Sequence, residues 1–577
     1  MLLRRSLAGT TDSPPAAGAG AVPPAGSEAV PDAAGLNLWR ADPWARPLLG
    51  LYLPPELLAH LEPHLDRMGA LAGGRLDELA GLADRNSPVL RHRTRRGEDA
   101  QRIEYHPAYR EMERVAFAEY GLAAMSHRGG VLGWPAPMPP AAKYALTYLF
   151  VQAEFGLCCP LSMTDALART LRRYGDPALV ARYLPALTAT DLDALRQGAM
   201  FMTEQGAGSD IAATAVMAAP RPDGTWALTG DKWFCSNPDA GMALVLARRE
   251  GGPPGLRGVS LFLLPRELPD GTRNAYRIVR LKEKLGTRSM ASGEVRLEGA
   301  TAWLVGEPEA GFRQMADMVN ASRLSNGMRA AGLMRRAVTE AVFVARHRVA
   351  FGRRLVEMPL MRRQLGKLIL PMEQARSMVF QAAEAMRRSD AGEADAYALL
   401  RILTPLLKFR ACRDARKVTG DAMEVRGGCG YIEEWADPRL LRDAHLGSIW
   451  EGTSNIVALD VLRAASREGS LPVLRAHVHG LLGDGAAALP EAPPALDRAV
   501  ALAETAQADP ALARQAASAL YHLTAAAAMA WEARQIEDPV RLELARMVLR
   551  HRVLPHDPLA ATAEDLTEGL LERALAA

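Results

Sequence analysis

One carboxylate, a glycine directly after it and three small polar side chains occur together in Ser448-Ile449-Trp450-Glu451-Gly452-Thr453-Ser454-Asn455. Glycine lets the backbone approach a ligand closely and take conformations other residues avoid. Thr453, Ser454 and Asn455 can cap the helix that follows and leave N–H groups free for an anion. Ile449 and Trp450 are placed to dry the surroundings of Glu451, and a carboxylate in a dry pocket becomes a usable general base. A surface glutamate ahead of a helix would look the same, so the octet alone does not decide.

Other stretches carry chemistry of their own. In Met202-Thr203-Glu204-Gln205-Gly206-Ala207-Gly208-Ser209-Asp210, two glycines open the backbone and Thr203 and Ser209 supply hydroxyls. It is not a dinucleotide fingerprint, because Ile211 stands where the third glycine belongs. Gly230-Asp231-Lys232-Trp233-Phe234-Cys235-Ser236-Asn237 offers aromatic rings and a hydroxyl, although Phe234 would serve equally in a core. Arg348-Val349-Ala350-Phe351-Gly352 presents an arginine able to fork onto two phosphate oxygens. Arg426-Gly427-Gly428-Cys429-Gly430-Tyr431 is a backbone that a nucleotide can approach. His60 and His64 are four apart, but Pro63 and the misplaced Glu62 argue against a zinc site, and no other His/Cys cluster has ligand spacing. The run Arg91 to Arg96 reads as a solvated loop between helices.

Taken in order, the motifs at 202–210, 230–237, 426–431 and 448–455 resemble those of the acyl-CoA dehydrogenase flavoproteins, with family-like gaps. The resemblance runs from about Leu36 to the C-terminus. It implies FAD as cofactor, with Met202, Thr203, Ser209, Phe234 and Ser236 around the flavin and part of the pyrophosphate. Arg348, Phe351, Gly427, Gly428 and Gly430 then reach the FAD of a neighbouring subunit in a homotetramer, and Thr453 and Asn455 join the cofactor contacts. Glu451 becomes the base that takes the α-proton of an acyl thioester while the β-hydride goes to flavin N5. Gly452 and Arg323 are the implied substrate contacts. Some family members carry the base on an earlier helix, where this chain has Ser322, which leaves Glu451 as the candidate. Asn320 replaces an acidic neighbour that often contacts the CoA adenine side. An electron-transfer flavoprotein or oxygen is the implied acceptor.

Further stretches resemble the bacterial alkylation-response (AidB-like) branch: Tyr105-His106-Pro107-Ala108-Tyr109, Leu157 to Thr164, Asp270 to Ala275, Arg280 to Ser289 and the long C-terminal extension. That likeness implies a link to DNA alkylation damage. Its alternative reading is a flavoprotein that binds double-stranded DNA, shielding it or inactivating alkylating agents, with little turnover. From residue 466 onward, however, ten arginines face fifteen acids, so the extension is not a basic patch.

The elements that must position these residues follow from pattern and composition. The chain has 577 residues, 49% hydrophobic and 23% charged, with net charge +3, which excludes global disorder and forces no polyanion partner. Residues 1–36 read as a disordered Pro/Ala/Gly-rich tail without the apolar stretch of a signal peptide. Three- and four-residue apolar spacing predicts a helical domain over 37–199. Short strands separated by Pro-Asp-Gly turns predict an antiparallel β domain over 200–309. Long helical periods at 312–349, 359–387 and 394–425, with a last helix near Thr453, predict a four-helix bundle over 310–465 carrying the FAD and the base. Arg335-Arg336, Arg353-Arg354, Arg362-Arg363 and Lys408 to Lys417 are expected to make its surface partly basic. Residues 466–577 read as a helical extension. The predicted class is thus mainly α with a central antiparallel β domain, acyl-CoA dehydrogenase-like. Five cysteines without a C-x-x-C point to reduced thiols in a cytoplasm, and no apolar run reaches the roughly 18 residues of a membrane span.

Overall fold

The computed structural model describes residues 29–557 and 559. The reading of residues 1–28 as a disordered tail lies outside the described residues. Residues 29–36 are not loose: Gly35 N–H donates to Gly73 O at 2.7 Å, and Pro31 O accepts from the buried Arg426 at 3.0 Å.

Helices α1 (Ala45–Leu49), α2 (Pro55–Gly73) and α3 (Arg75–Arg85) come first, then α4 (Pro107–Glu113), α5 (Pro140–Phe150), α6 (Cys158–Tyr174) and α7 (Pro177–Leu187). Four of them start on proline, whose missing N–H costs nothing in a first turn. The basic run is exposed, as expected, but only its second half, Thr94 to Arg96, is a turn. It forms an antiparallel hairpin, β1 (Val89–Arg93) with β2 (Asp99–Glu104), in which Arg91 and Arg102 both pair with Glu104. Opposite charges on paired strands offset the repulsion that the sequence alone suggests.

The β domain holds β3 (Gly198–Phe201), β4 (Met217–Pro220), β5 (Trp226–Ser236), β6 (Met242–Arg249), β7 (Val259–Pro265), β8 (Tyr276–Leu281) and β9 (Ser292–Leu304). Pairings β6–β4, β4–β5, β5–β9, β9–β7 and β7–β6 close on themselves around Phe201, Val245, Phe262 and Val295. Most ladders are antiparallel; β3 and β4 each run parallel to β6. Along β5 the register slips between Lys232 and Cys235, leaving an extra residue opposite β9. Such a bulge re-aims side chains, and Phe234, which core packing would have buried, stands 57% exposed.

Helices α8 (Gly311–His347), α9 (Pro359–Asp390), α10 (Ala396–Arg426) and α12 (Ser454–Arg467) pack as the bundle, with α11 (Ala436–Gly447) leading into the last. The extension follows as α13 (Ser470–Leu482), α14 (Ala492–Ala508), α15 (Ala513–Gln535) and α16 (Pro539–Val548). Its α15 packs against α9, α10 and α12. Several cations expected on the surface are inside: Arg335 pairs with Asp42, Arg336 with Asp77 and Glu340, and Lys408 is buried. Periodicity placed them on helices; only the fold brings them their distant partners. Among the described residues no helix is long and apolar enough to cross a membrane.

Buried ions fasten these layers. Arg541 of α16 meets Glu373 of α9 at 2.8 Å and Glu532 of α15 at 2.5 Å, and donates to Ser377 at 2.8 Å. Arg376 of α9 carries the network to Asp42 at 2.6 Å. Removing one partner of a buried pair costs about 3–5 kcal/mol, because the other charge is stranded. Arg541→Ala is therefore expected to lower the thermal midpoint sharply, an effect readable by differential scanning fluorimetry.

A second junction joins α11 to the segment after β8, where Asp443 accepts from Thr287 N–H at 2.6 Å. Burial pushes the Asp443 carboxyl up to about 7, against that hydrogen bond. An unfolded chain holds this proton only below about pH 4, so folding takes up a proton between there and about pH 7. The stability contributed here falls as pH rises through that window. Asp443→Asn keeps the acceptor oxygen without the charge, and its thermal midpoint should gain more over the parent at pH 8 than at pH 5.

Candidate active site

Glu451 lies in the turn between α11 and α12 with φ +54°, followed by Gly452 at +98°. The left-handed region is uncommon for a residue with a side chain and persists where surroundings over-determine it. Three consecutive carbonyls supply that constraint. Lys408 Nζ donates to Trp450 O at 2.8 Å and to Gly452 O, while Arg323 Nε donates to Glu451 O at 2.9 Å. A Cβ on Gly452 would meet Arg323 Nη2 at 3.1 Å and Ile456 at 3.2 Å, so the position needs glycine twice over. Arg323 is turned inward: its Nη1 donates to Asp460 at 2.7 Å and Asn320 at 3.2 Å. These contacts make it a clamp on the turn.

The Glu451 side chain is 6% exposed. Ser322 Oγ donates to its Oε1 at 2.5 Å, whereas its buried Oε2 has no hydrogen-bond partner. Ser322 thus steadies one oxygen of the Glu451 carboxylate. Trp450 shields the turn, its ring stacked on Phe155 at 6.0 Å. Ile449 does not contribute: it is 57% exposed, because the end of α11 directs it outward. The fully buried Arg329 guanidinium lies 4.9 Å from the Trp450 ring and 5.3 Å from Phe155. Burial draws Lys408 down to about 8, opposed by Cys412 and Glu451, and draws Lys284 down to about 8 as well. Burial pushes the Cys159 thiol up to about 11; Arg329 opposes it, Glu451 adds to it, and a hydrogen bond with Ser236 opposes it.

The residues assigned to the flavin ring gather beside β5. Met202, Thr203 and Ser209 follow β3, and Thr203 O accepts from Trp233 N–H at the bulge at 2.8 Å. Lys232, fully buried, donates to Met202 O at 3.1 Å and to Glu204 at 2.7 Å; Glu204 in turn accepts from Ala215 N–H at 2.7 Å. This ion pair fixes the loop while Gly206 and Gly208 face open space.

Arg348, Phe351, Gly427, Gly428 and Gly430 form a separate group. Arg348 closes α8 and donates to Arg426 O at 2.9 Å, beside Gly427. Phe351 and Gly352 have φ +52° and +74° in the turn of a hairpin, and the Phe351 ring is 97% exposed. A Cβ on Gly430 would strike Met423 O at 2.3 Å, whereas Gly428 faces open space. Among the described residues no hydrogen bond, ion pair or ring contact joins this group to the first. Thr453 occupies the N-cap of α12 without a side-chain cap, which differs from the expected capping role. Ser454 Oγ instead accepts from Arg413 at 3.4 Å. An exposed ring on a bulge, glycines facing open space and an uncapped helix start fit a flat cofactor with a pyrophosphate.

Sequence reasoning gave no role to Lys232, Glu204, Lys408 or Arg329. The first two stand inside quoted motifs, so motif membership was their signal. Lys408 and Arg329 have none, since their partners are remote in sequence.

The chain matches three family models: the acyl-CoA dehydrogenase C-terminal domain over residues 309–466, its middle domain over 199–300, and the adaptive response protein AidB N-terminal domain over 28–194. It is 36% identical to the putative acyl-CoA dehydrogenase AidB of Escherichia coli K12, covering 68% of this chain and 72% of that one. Acyl-CoA dehydrogenase family member 11 of Caenorhabditis elegans is 32% identical, over 78% of this chain and 74% of its own. The structure of Caenorhabditis elegans ACDH-11 in complex with C11-CoA superposes with a TM-score of 0.83 at 27% identity, covering 90% of this chain and 92% of that one. The motifs, the three-part architecture and these matches agree: the chain belongs to the acyl-CoA dehydrogenase family.

Proposed function

We propose that this chain is an FAD-dependent oxidoreductase that dehydrogenates an acyl-CoA or related thioester across its α and β carbons, with Glu451 as the base. The observation that carries the reading is a buried carboxylate on a strained, cation-clamped turn, with one oxygen hydrogen-bonded and the other buried without a partner. The α-C–H bond breaks, its proton passes to Glu451 and its electron pair forms the new double bond as the β-hydrogen departs as hydride. FAD, when bound, supplies the acceptor for that hydride. Met202, Thr203, Ser209, Phe234 and Ser236 would hold its flavin end. Among the described residues nothing accepts from the Glu451 N–H, which suits a donor to the thioester oxygen as negative charge develops. The C11-CoA thioester named for the nematode relative supports the substrate class.

The second cofactor group would meet FAD from a neighbouring copy in a homotetramer. The bare apolar side chains Phe351, Tyr431 and Ile432 beside it support that assembly. Free, mostly buried cysteines suit a cytoplasmic setting. An electron-transfer flavoprotein or oxygen would complete turnover, and the likeness to AidB supports a place in the alkylation response. One observation favours the second reading, contact with double-stranded DNA. Arg413 is held below the usual guanidinium range by burial and by neighbouring Arg514, Arg410 and Arg416, against the pull of Asp414, which pairs with Arg410. This positive cluster joins the bundle to the extension.

Anaerobic titration of the FAD-loaded protein with short and branched acyl-CoAs should bleach the flavin. Glu451→Gln should keep FAD yet slow bleaching by about 10²–10⁴-fold, the usual contribution of a positioned base. Unchanged bleaching in that variant would remove Glu451 from the chemistry. For the second reading, DNA affinity should fall steeply between about 50 and 200 mM salt. Replacing Arg413 and Arg416 with Gln should flatten that slope; an unchanged slope would discard this surface.

A further inference from the structure

Arg329 is fully buried, yet neither of its terminal nitrogens makes a hydrogen bond. Its Nε donates to Ser325 O of its own helix at 3.3 Å, and Phe155 and Trp450 lie against it. Among the described residues the one carboxylate within ion-pair distance of it is Glu451, with Nη2 at 3.7 Å from Oε1. A buried, unmatched guanidinium is costly, and desolvated charges are retained where they are paired. The other charged or polar groups around Glu451 are committed elsewhere. Arg323 and Lys408 hold backbone carbonyls, and the Cys159 and Cys412 thiols are pushed upward by burial; Ser322 alone is not committed elsewhere, and donates to Oε1.

We infer that Arg329 is a positioning residue that anchors the Oε1 side of Glu451 from within α8, so that Oε2, buried and without a hydrogen-bond partner, is the oxygen kept for the substrate proton. Ser322 and Arg329 lie seven residues apart on α8, two turns along one face, and both address the same oxygen. The hydroxyl fixes direction; the guanidinium fixes charge and, through the rings around it, ties the carboxylate to Trp450. This rests on the dehydrogenase reading for its kinetic consequence, but the pairing itself does not.

The test uses FAD-loaded Arg329→Met, Arg329→Lys, Glu451→Gln and the Arg329→Met/Glu451→Gln double variant. Anaerobic stopped flow should show Arg329→Met losing about 10- to 100-fold in the limiting rate of flavin reduction, the scale of an ångström-sized misplacement. The thioester dissociation constant should move little, and Arg329→Lys should recover part of the rate. A loss confined to the dissociation constant, or no loss, would overturn the assignment. Thermal midpoints give a readout that needs no turnover: Arg329→Met should lower the midpoint clearly less in the Glu451→Gln background than in the parent. Additive shifts would refute the pairing. A parent protein that no thioester bleaches would sink the dehydrogenase reading, and the midpoints would still decide on the pair. Were Arg329→Met not to fold, Arg329→Lys alone and with Glu451→Gln would serve in both measurements.

Discussion

Buried positive charge has to be matched where it lies, and much of this architecture follows from that constraint. Arg426, Arg541 and Arg329 are each buried to the point of no contact with water. Arg426 finds Asp437, Glu340 and Pro31 O, drawing α11, α8 and the N-terminal segment to one place. Arg541 finds Glu373 and Glu532, which locks the C-terminal extension to the bundle. Such pairs are poor sources of net stability compared with packed apolar groups, but each is costly to break from one side. They therefore set which helix meets which. Apolar packing among alanine-rich helices specifies this weakly, since small side chains leave many near-equivalent registers.

Arg329 is the exception in this set, and its position explains why it is tolerated. Arg426 and Arg541 hold their carboxylates with hydrogen bonds, while Arg329 stands 3.7 Å from Glu451 without one. A bidentate pair would put a hydrogen bond on each carboxylate oxygen, including the Oε2 that now has none. Charge at a short remove steadies the anion and keeps a lone pair open. The same economy governs the turn. Its cations are spent on carbonyl oxygens, so Lys408 and Arg323 hold backbone in a strained conformation and leave the carboxylate free.

The bundle and the candidate site were legible to different depths. Long 3.6-residue periods marked α8, α9 and α10 almost to their ends, and the order of the motifs matched that of the family to which the chain belongs. The short strands β3 and β4 have only four residues each, too few to show alternation. The hairpin at β1 and β2 was hidden by its charges, because cross-strand pairing cannot be seen along one strand. Arg335, Arg336 and Lys408 read as surface for the same reason. Asp42 lies nearly three hundred positions before Arg335, and a charge in a sequence looks solvated until its partner is placed.

The split between the two cofactor groups follows from the direction of α8. This helix starts beside the β domain, passes Glu451 with Ser322, Arg323 and Arg329, and ends at Arg348 against α10. Its 37 residues span about 55 Å at 1.5 Å per residue. A single rigid rod thus carries base-positioning residues in its first half and a phosphate-suited arginine at its far end. That separation exceeds what a turn or loop of the same chain bridges here, since α10 returns alongside α8 and not across to β5. The exposed Phe351 and Tyr431 stand at that far end, on segments that pack against little of their own chain. The geometry that keeps the base rigid therefore also displaces these residues from it. One chain presents them outward, at the opposite end of α8 from the Glu451 turn.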